Sequence, residues 1–379
     1  MKKAVFLVAA LSTFSGVVHA QSSVTIFGIV DTGLVYTSNN GGHSSWQLTS
    51  GNESGSRWGF RGVEDLGGGL KTIFQLENGF SLVNGTLGQG GRMFGRQAWV
   101  AMASDKFGTV TFGRQYTPLV DVIDPLQITV SMTAYAVHPM DNDAILATYR
   151  TNNAVKYTTP MYGGFQAEAM YGFSNSTNFA TNRAYSVGAS YSGGSLSLAA
   201  AYVRLNGPAF NKDTTGAVAS DNFYSYTTTP FLATAQTVQQ WAAGGTYSAG
   251  RAVFGLLYTN SLFANPTTGS LFSGATGSGG GSGSVRFQNI DGSFRFYFTP
   301  FLVGSIGETY THATQGDGSG NYWQTNAGLE YFISKRTDVY VNAVYQTTSK
   351  HLQPWIELAS APSTSRSQVI GVIGLRQKF

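Results

Sequence analysis

The sequence predicts an all-β fold: a sixteen-stranded antiparallel transmembrane β-barrel with a long loop folded into the lumen. Three observations carry that expectation: period-two alternation along the chain, an even set of segments about ten residues long, and a last strand that runs out on Phe379. Successive strand side chains point to opposite faces, so alternation requires an apolar environment on one side of the sheet and a polar one on the other. Phe165, Ala167, Ala169, Tyr171 and Phe173 alternate with Gln166 and Glu168. Trp323, Ala327, Leu329 and Tyr331 are set against Gln324, Asn326 and Glu330, and Val339, Val341, Ala343 and Tyr345 against Asp338, Asn342 and Gln346. At the end of the chain, Val369, Ile373, Leu375 and Phe379 share a face opposite Arg376 and Lys378. A long apolar strand left at a sheet edge invites aggregation, whereas a closed barrel has no edge.

Taken in order, the segments are 23–36, 54–66, 70–81, 91–104, 108–116, 152–160, 164–173, 183–193, 195–205, 236–248, 251–260, 284–299, 301–313, 321–332, 336–349 and 365–379. An even count is what a bacterial barrel requires. Glycine-bearing turns at 65–69, 105–108, 160–164, 191–195 and 248–251 alternate with longer loops at 82–90, 117–151, 206–235, 261–283 and 350–364. That is the barrel layout of short periplasmic turns and long outer loops. Trp58, Trp99, Tyr171, Trp323, Tyr331 and Tyr345 fall toward segment ends on the apolar face, where interfacial girdles sit. In 284–299 the apolar face changes parity between Phe287 and Phe294, which a β-bulge would restore. The Gly/Ser tract 278–284 reads as loop within a single domain.

Residues 1–20 read as a secretory signal, with Lys2 and Lys3 ahead of an apolar stretch and small residues before Ala20; the barrel domain is then 21–379. The formal charge of +4 falls by two when those lysines leave, and so slight a balance implies no nucleic-acid partner. Only 11% of residues are charged, and Gly numbers 48. Both values depart from an ordinary soluble domain, which has about 25% charged residues and about 7% Gly. No Cys is present, which excludes disulfides, thiolate metal sites and a cysteine nucleophile. His43, His138, His312 and His351 all lie in or beside loops, so no hydrolytic constellation, metal site or cofactor is expected.

The segment 117–151 is too long for an idle turn. It carries Asp121, Asp124, Asp141 and Asp143, but also Leu119, Val120, Val122, Ile123, Leu126, Ile128 and Val130, which argues for packing on the barrel wall. Arginines cluster in the first third of the chain. Arg57 and Arg61 share a parity opposite Trp58 and Phe60, and Arg92 and Arg96 a parity opposite Trp99, so all four are expected to face the lumen; Arg150 closes the long loop. Glu77 faces in beside Lys71 and Gln75. A row of guanidinium groups facing a carboxylate rim can guide anions, because guanidinium stays charged and is weakly hydrated. A wall salt bridge with Glu77 is the competing role for any one of them.

Ser23-Val24-Thr25-Ile26-Phe27-Gly28, the run Ser56 to Lys71, and Phe74-Gln75-Leu76-Glu77 resemble the general diffusion porins of Gram-negative outer membranes. Phe107 to Tyr116, Asn152 to Tyr157 and Gly374-Leu375-Arg376-Gln377-Lys378-Phe379 are similar to the anion-preferring type of beta-proteobacteria. The resemblance implies an outer-membrane homotrimer of sixteen-stranded barrels, embedded in lipid, with the third long loop in each pore. It implies passive diffusion of small hydrophilic solutes and inorganic ions, with an anion bias and no enzymatic step. By motif, Arg57, Arg96 and Arg150 match the basic side of the constriction, and Glu77, Asp121 and Asp124 the opposing side. A substrate-selective porin for a sugar or organic acid, with Tyr116 and Tyr135 as contacts, is the alternative.

Overall fold

The computed structural model describes residues 23–147, 149–207, 215–218, 229–272 and 283–379. The signal segment 1–20 lies outside these residues, as does the Gly/Ser tract up to residue 282. Seventeen strands are seen among them. On the first half of the wall they are β1 (Ser23–Asn40), β2 (His43–Ser50), β3 (Arg57–Gly67), β4 (Leu70–Gly79), β5 (Gln97–Ser104), β6 (Gly108–Gln115), β7 (Thr151–Thr158) and β8 (Phe165–Gly172). The second half holds β9 (Arg183–Gly193), β10 (Leu196–Asn206), β11 (Thr237–Ala249), β12 (Ala252–Ala264), β13 (Val285–Tyr297), β14 (Leu302–Gln315), β15 (Gly318–Phe332), β16 (Thr337–Thr348) and β17 (Ser367–Lys378).

Sixteen staves result, because β2 and β3 pair with the upper and lower halves of the same edge of β1. Residues 51–56 interrupt that second stave as an inward insert. Each later strand pairs antiparallel with its neighbour, and β17 returns to β1 in register from Ile29 opposite Lys378 to Thr37 opposite Ile370. Gly28 and Phe379 exchange both backbone hydrogen bonds at 3.0 Å, which continues that seam to the last residue.

The wall is inside out relative to a soluble protein. Along β16, Val339, Val341 and Tyr345 are exposed while Asp338, Tyr340, Asn342 and Gln346 are buried. The outward band is apolar and the lumen side polar, the arrangement a bilayer demands. Trp323, Tyr331 and Tyr345 face outward as expected.

Four local expectations need correction. Trp99 faces the lumen: it pairs with Gln75, whose neighbour on that face is Glu77, and its Nε1 donates to Gln97 Oε1 at 2.8 Å. Residues 91–96 are not strand, so parity counted from Arg92 and Arg96 does not carry into β5. No bulge breaks β13, whose register with both neighbours is continuous. Phe287 is fully buried inside the barrel against Phe231 and Phe263, so the parity change marks an apolar patch on the lumen face. The long-loop end of the barrel also contains two tight hairpins, at Gly41-Gly42 and Gly316-Asp317.

The seam leaves no room at Gly28. A Cβ there would stand 2.3 Å from Phe379 Cζ and 2.8 Å from the Arg57 carbonyl oxygen. Gly28→Val is expected to destabilise the closed barrel by about 1–3 kcal/mol through overpacking. A lower temperature for the shift from folded to unfolded band in semi-native electrophoresis would show it, and an unchanged temperature would mean that the Phe379 ring is not seated there.

Candidate pore constriction

The segment from Thr117 to Arg150 enters the barrel and crosses it. It begins with α1 (Pro118–Ile123), whose Thr117 hydroxyl accepts the Val120 N–H and whose proline occupies the first turn. Leu119, Val122 and Ile123 are buried against β9 and β10. Glycines on the lumen face allow this approach: a Cβ at Gly188 would meet Pro118 at 3.1 Å, and one at Gly307 would meet Thr129 at 2.6 Å.

Past α1 the loop is tied to the far wall by polar groups. Gln324 donates to the Val137 carbonyl at 2.8 Å, Asn342 to Met132 at 2.7 Å, and Arg295 to Ile128 at 2.7 Å. His138 Nδ1 lies 2.6 Å from Asp143 Oδ2, which also accepts from the Thr259 hydroxyl at 2.6 Å.

At its tip the loop meets the insert of the second stave. Ala134 N–H donates to the Asn52 carbonyl at 2.8 Å, and the Tyr135 hydroxyl donates to Asn52 Oδ1 at 3.1 Å. The insert is itself clamped. Asp31 accepts from the N–H groups of Glu53 and Ser54 at 2.9 and 2.6 Å, and from the Tyr340 hydroxyl at 2.5 Å. Arg376 reaches Glu53 at 3.0 Å and Asp338 at 3.1 Å, and also bonds Glu330. A guanidinium can serve three carboxylates in this way because its donors spread in a fixed planar fork.

What remains open is a cavity of about 540 Å³ between the loop and the wall of β3 to β6. Arg57, Arg96, Tyr116 and Arg150 line the wall side, with Asp121, Asp124, Val120 and Leu146 on the loop side. The three arginines form one group. Arg96 and Arg150 donate to the Tyr116 hydroxyl at 2.7 and 3.2 Å, and the Arg150 guanidinium lies 5.1 Å from the Tyr116 ring centre. Glu77 holds Arg96 at 2.5 Å and stands 3.9 Å from Arg57. One carboxylate thus orients two guanidinium groups without cancelling the charge of all three.

The other sequence candidates separate. Asp124 is exposed to the cavity, whereas Asp121 is ion-paired with Lys156 of β7. Arg61 projects into the lumen four residues further toward the short-turn end and does not line the cavity. Arg92 lies in the segment before β5, not on it, and donates to the Gln89 carbonyl at 3.0 Å. Tyr135 is buried as the anchor of the loop tip, not a solute contact. Sequence reasoning missed Lys156, the insert around Asn52 and the clamp at Arg376. Only the inward parity of Arg376 signalled any of them.

The family profile for Gram-negative porins matches residues 7–351 of the chain. An outer membrane porin protein of Bordetella pertussis is 31% identical, and outer membrane porin protein 32 of Delftia acidovorans 29%, each aligned across 100% of both chains. Among solved structures, the anion-selective porin from Comamonas acidovorans superposes with a TM-score of 0.71 at 24% identity, covering 94% of this chain and 100% of that one. The trimer form of OmpT from Vibrio cholerae superposes with a TM-score of 0.66 at 16% identity, covering 94% and 99%.

The His138–Asp143 pair makes the loop's anchoring depend on pH. Burial alone would lower the His138 pKa, but the Asp143 carboxylate, with Asp291 and Asp141, holds it above its ordinary 6.5. Burial would likewise raise Asp143, but His138 and the Thr259 hydroxyl hold it below 3.8. A raised histidine contributes stability that is full below its unfolded pKa and is lost as pH rises through the folded one; for the lowered carboxyl the loss comes on acidification. Anchoring should therefore be firmest between about pH 4 and 6.5 and weaken on either side. Open-channel current noise in the wild type should grow as the pH is raised above that window, and His138→Asn should remove the alkaline dependence. The same alkaline rise in both proteins would show that the pair does not hold the loop.

Proposed function

The chain belongs to the Gram-negative porin family, and on that premise we propose that its constriction passes small hydrophilic solutes with a bias toward anions. It is an outer-membrane channel: a water-filled β-barrel through which solutes diffuse passively. The observation that supports the bias is the gathering of Arg57, Arg96 and Arg150 around Tyr116 on one side of the cavity, with Glu77 as their carboxylate partner. Opposite them, Asp121 is neutralised by Lys156, which leaves Asp124 as the exposed loop carboxylate of the cavity.

Arg57 and Arg96 retain accessible side-chain surface, while Arg150 is almost fully covered and acts through its field. An anion entering the eyelet exchanges part of its hydration shell for weakly hydrated guanidinium groups and leaves again because none encloses it. The anion selectivity of the Comamonas porin, which shares the fold, agrees with this reading. The trimer form of the Vibrio OmpT supports a homotrimeric assembly in the outer-membrane lipid. No chemical step is assigned to the pore.

Arg57→Ala with Arg96→Ala is expected to lower the chloride-to-potassium permeability ratio several-fold, on the order of 1 kcal/mol of lost attraction in a wet lumen, while the channel still conducts. The reversal potential of the double variant under a potassium chloride gradient reads this directly. An unchanged ratio would remove both residues from selection.

A further inference from the structure

A second recess, about 310 Å³, opens in the lumen wall beside the eyelet and shares Asp121 with it. Its lining includes Gln97, Trp99, Gln115, Lys156 and Glu168. Trp99, Thr158 and Glu168 lie along β5, β7 and β8 on the way to the short turns, so the recess is on the periplasmic side of the arginine wall. A tryptophan on a wet lumen face is unusual, because an indole costs free energy in water unless something covers it.

Most of the nitrogen donors of this recess are already committed. Trp99 Nε1 donates to Gln97, Gln97 Nε2 to Glu77 at 3.3 Å, and Gln115 Nε2 to the carbonyls of Thr111, Gly113 and Ala154. Lys156 Nζ serves Asp121 and the Tyr116 carbonyl. The Thr158 hydroxyl donates to Glu168 Oε1 at 3.3 Å. Two acceptors are left over, Gln115 Oε1 and Glu168 Oε2, buried and without a donor. Two carboxyl groups, Asp121 and Glu168, lie beside one ammonium, Lys156. The recess therefore has more carboxyl groups than cations to match them, unlike the arginine wall, and it offers an indole face.

We infer that this recess is a subsite for the ammonium group of a passing solute. An ammonium brings donors and no acceptor, which fits leftover acceptors where most donors are spent, and a cation over an indole face gains a quadrupole attraction. A polyol hydroxyl is uncharged, so it gains neither from the surplus carboxyl group nor, as a cation does, from the indole face. With the arginine wall next to it, on whose anion-attracting role this inference rests, the pore favours zwitterions. The carboxylate follows Arg57 and Arg96 while the ammonium passes Trp99 and Glu168. A free amine lacks the first contact and a simple carboxylate the second.

The test is flux into liposomes of 4-aminobutanoate, butanoate and erythritol through the purified full-length porin. Wild type is compared with Glu168→Gln and Trp99→Leu, each checked for single-channel conductance in potassium chloride to confirm an open barrel. The ratio of aminobutanoate to butanoate flux is expected to fall about threefold in each variant, with erythritol flux unchanged. A ratio that stays at the wild-type value in both variants overturns the inference. So does a loss of erythritol flux equal to that of aminobutanoate, which would mark a hydroxyl site or a general narrowing. Failure of the arginine reading would appear separately, as a wild-type reversal potential with no chloride preference.

Discussion

Inside a hydrocarbon layer every backbone N–H and carbonyl of the wall must be satisfied by the wall itself, and the seam between β1 and β17 is where that demand is met. The ladder from Ile29 to Thr37 against Ile370 to Lys378, extended by Gly28 and Phe379, removes the two edges an open sheet would leave. Closure fixes the number of staves and so the width of the lumen. A lumen of that width does not select strongly by itself. Selection is delegated to a segment that enters from the long-loop end, and the lumen-facing side chains of the wall are arranged to hold it.

That holding combines apolar packing of the loop on the wall, densest at α1 against β9 and β10, with polar ties, because the lumen face must also serve water. Gln324, Asn342 and Arg295 grip carbonyls of the loop, and the His138–Asp143–Thr259 group closes its return. The tip ends on Asn52, within an insert pinned by Asp31 and Arg376. Each bond is worth about 0.5–1.5 kcal/mol net, but leaving a buried partner unmatched costs more, so such a network fixes one loop position. The seam that closes the barrel and the clamp that positions the constriction meet at Arg376, which pairs with Asp31 in the ladder and bonds the insert with its side chain.

Most of the wall was legible in the sequence because two contrasting solvents impose period two on every stave. Each of the sixteen segments corresponds to a stave, and the outward aromatics Trp323, Tyr331 and Tyr345 lie where alternation puts them. Legibility ends where the lumen face stops being uniformly polar or the strand is interrupted. Phe287 is apolar yet inward, because it packs with Phe231 and Phe263 inside the barrel. Parity counted from Arg92 and Arg96 points Trp99 outward, but β5 begins only at Gln97, so that count does not reach it. Residues 51–56, rich in Gly and Ser, carry no periodic signal that an insert splits the second stave. Of the site, the grouping of Arg57, Arg96 and Arg150 was readable from motif, whereas Lys156 as the partner of Asp121 depends on how α1 lies across the wall.

Selection in this barrel requires that current pass between Asp124 on the loop and the wall that carries Arg57 and Arg96. Because the chain has no cysteine, Asp124→Cys supplies a single thiol at that place. The most direct measurement is single-channel conductance in a planar bilayer before and after a bulky thiosulfonate reagent labels it. Conductance is expected to fall in discrete steps as the reagent labels the thiol at position 124. Full labelling with no change in conductance would contradict this, since the permeation path would then lie elsewhere in the barrel.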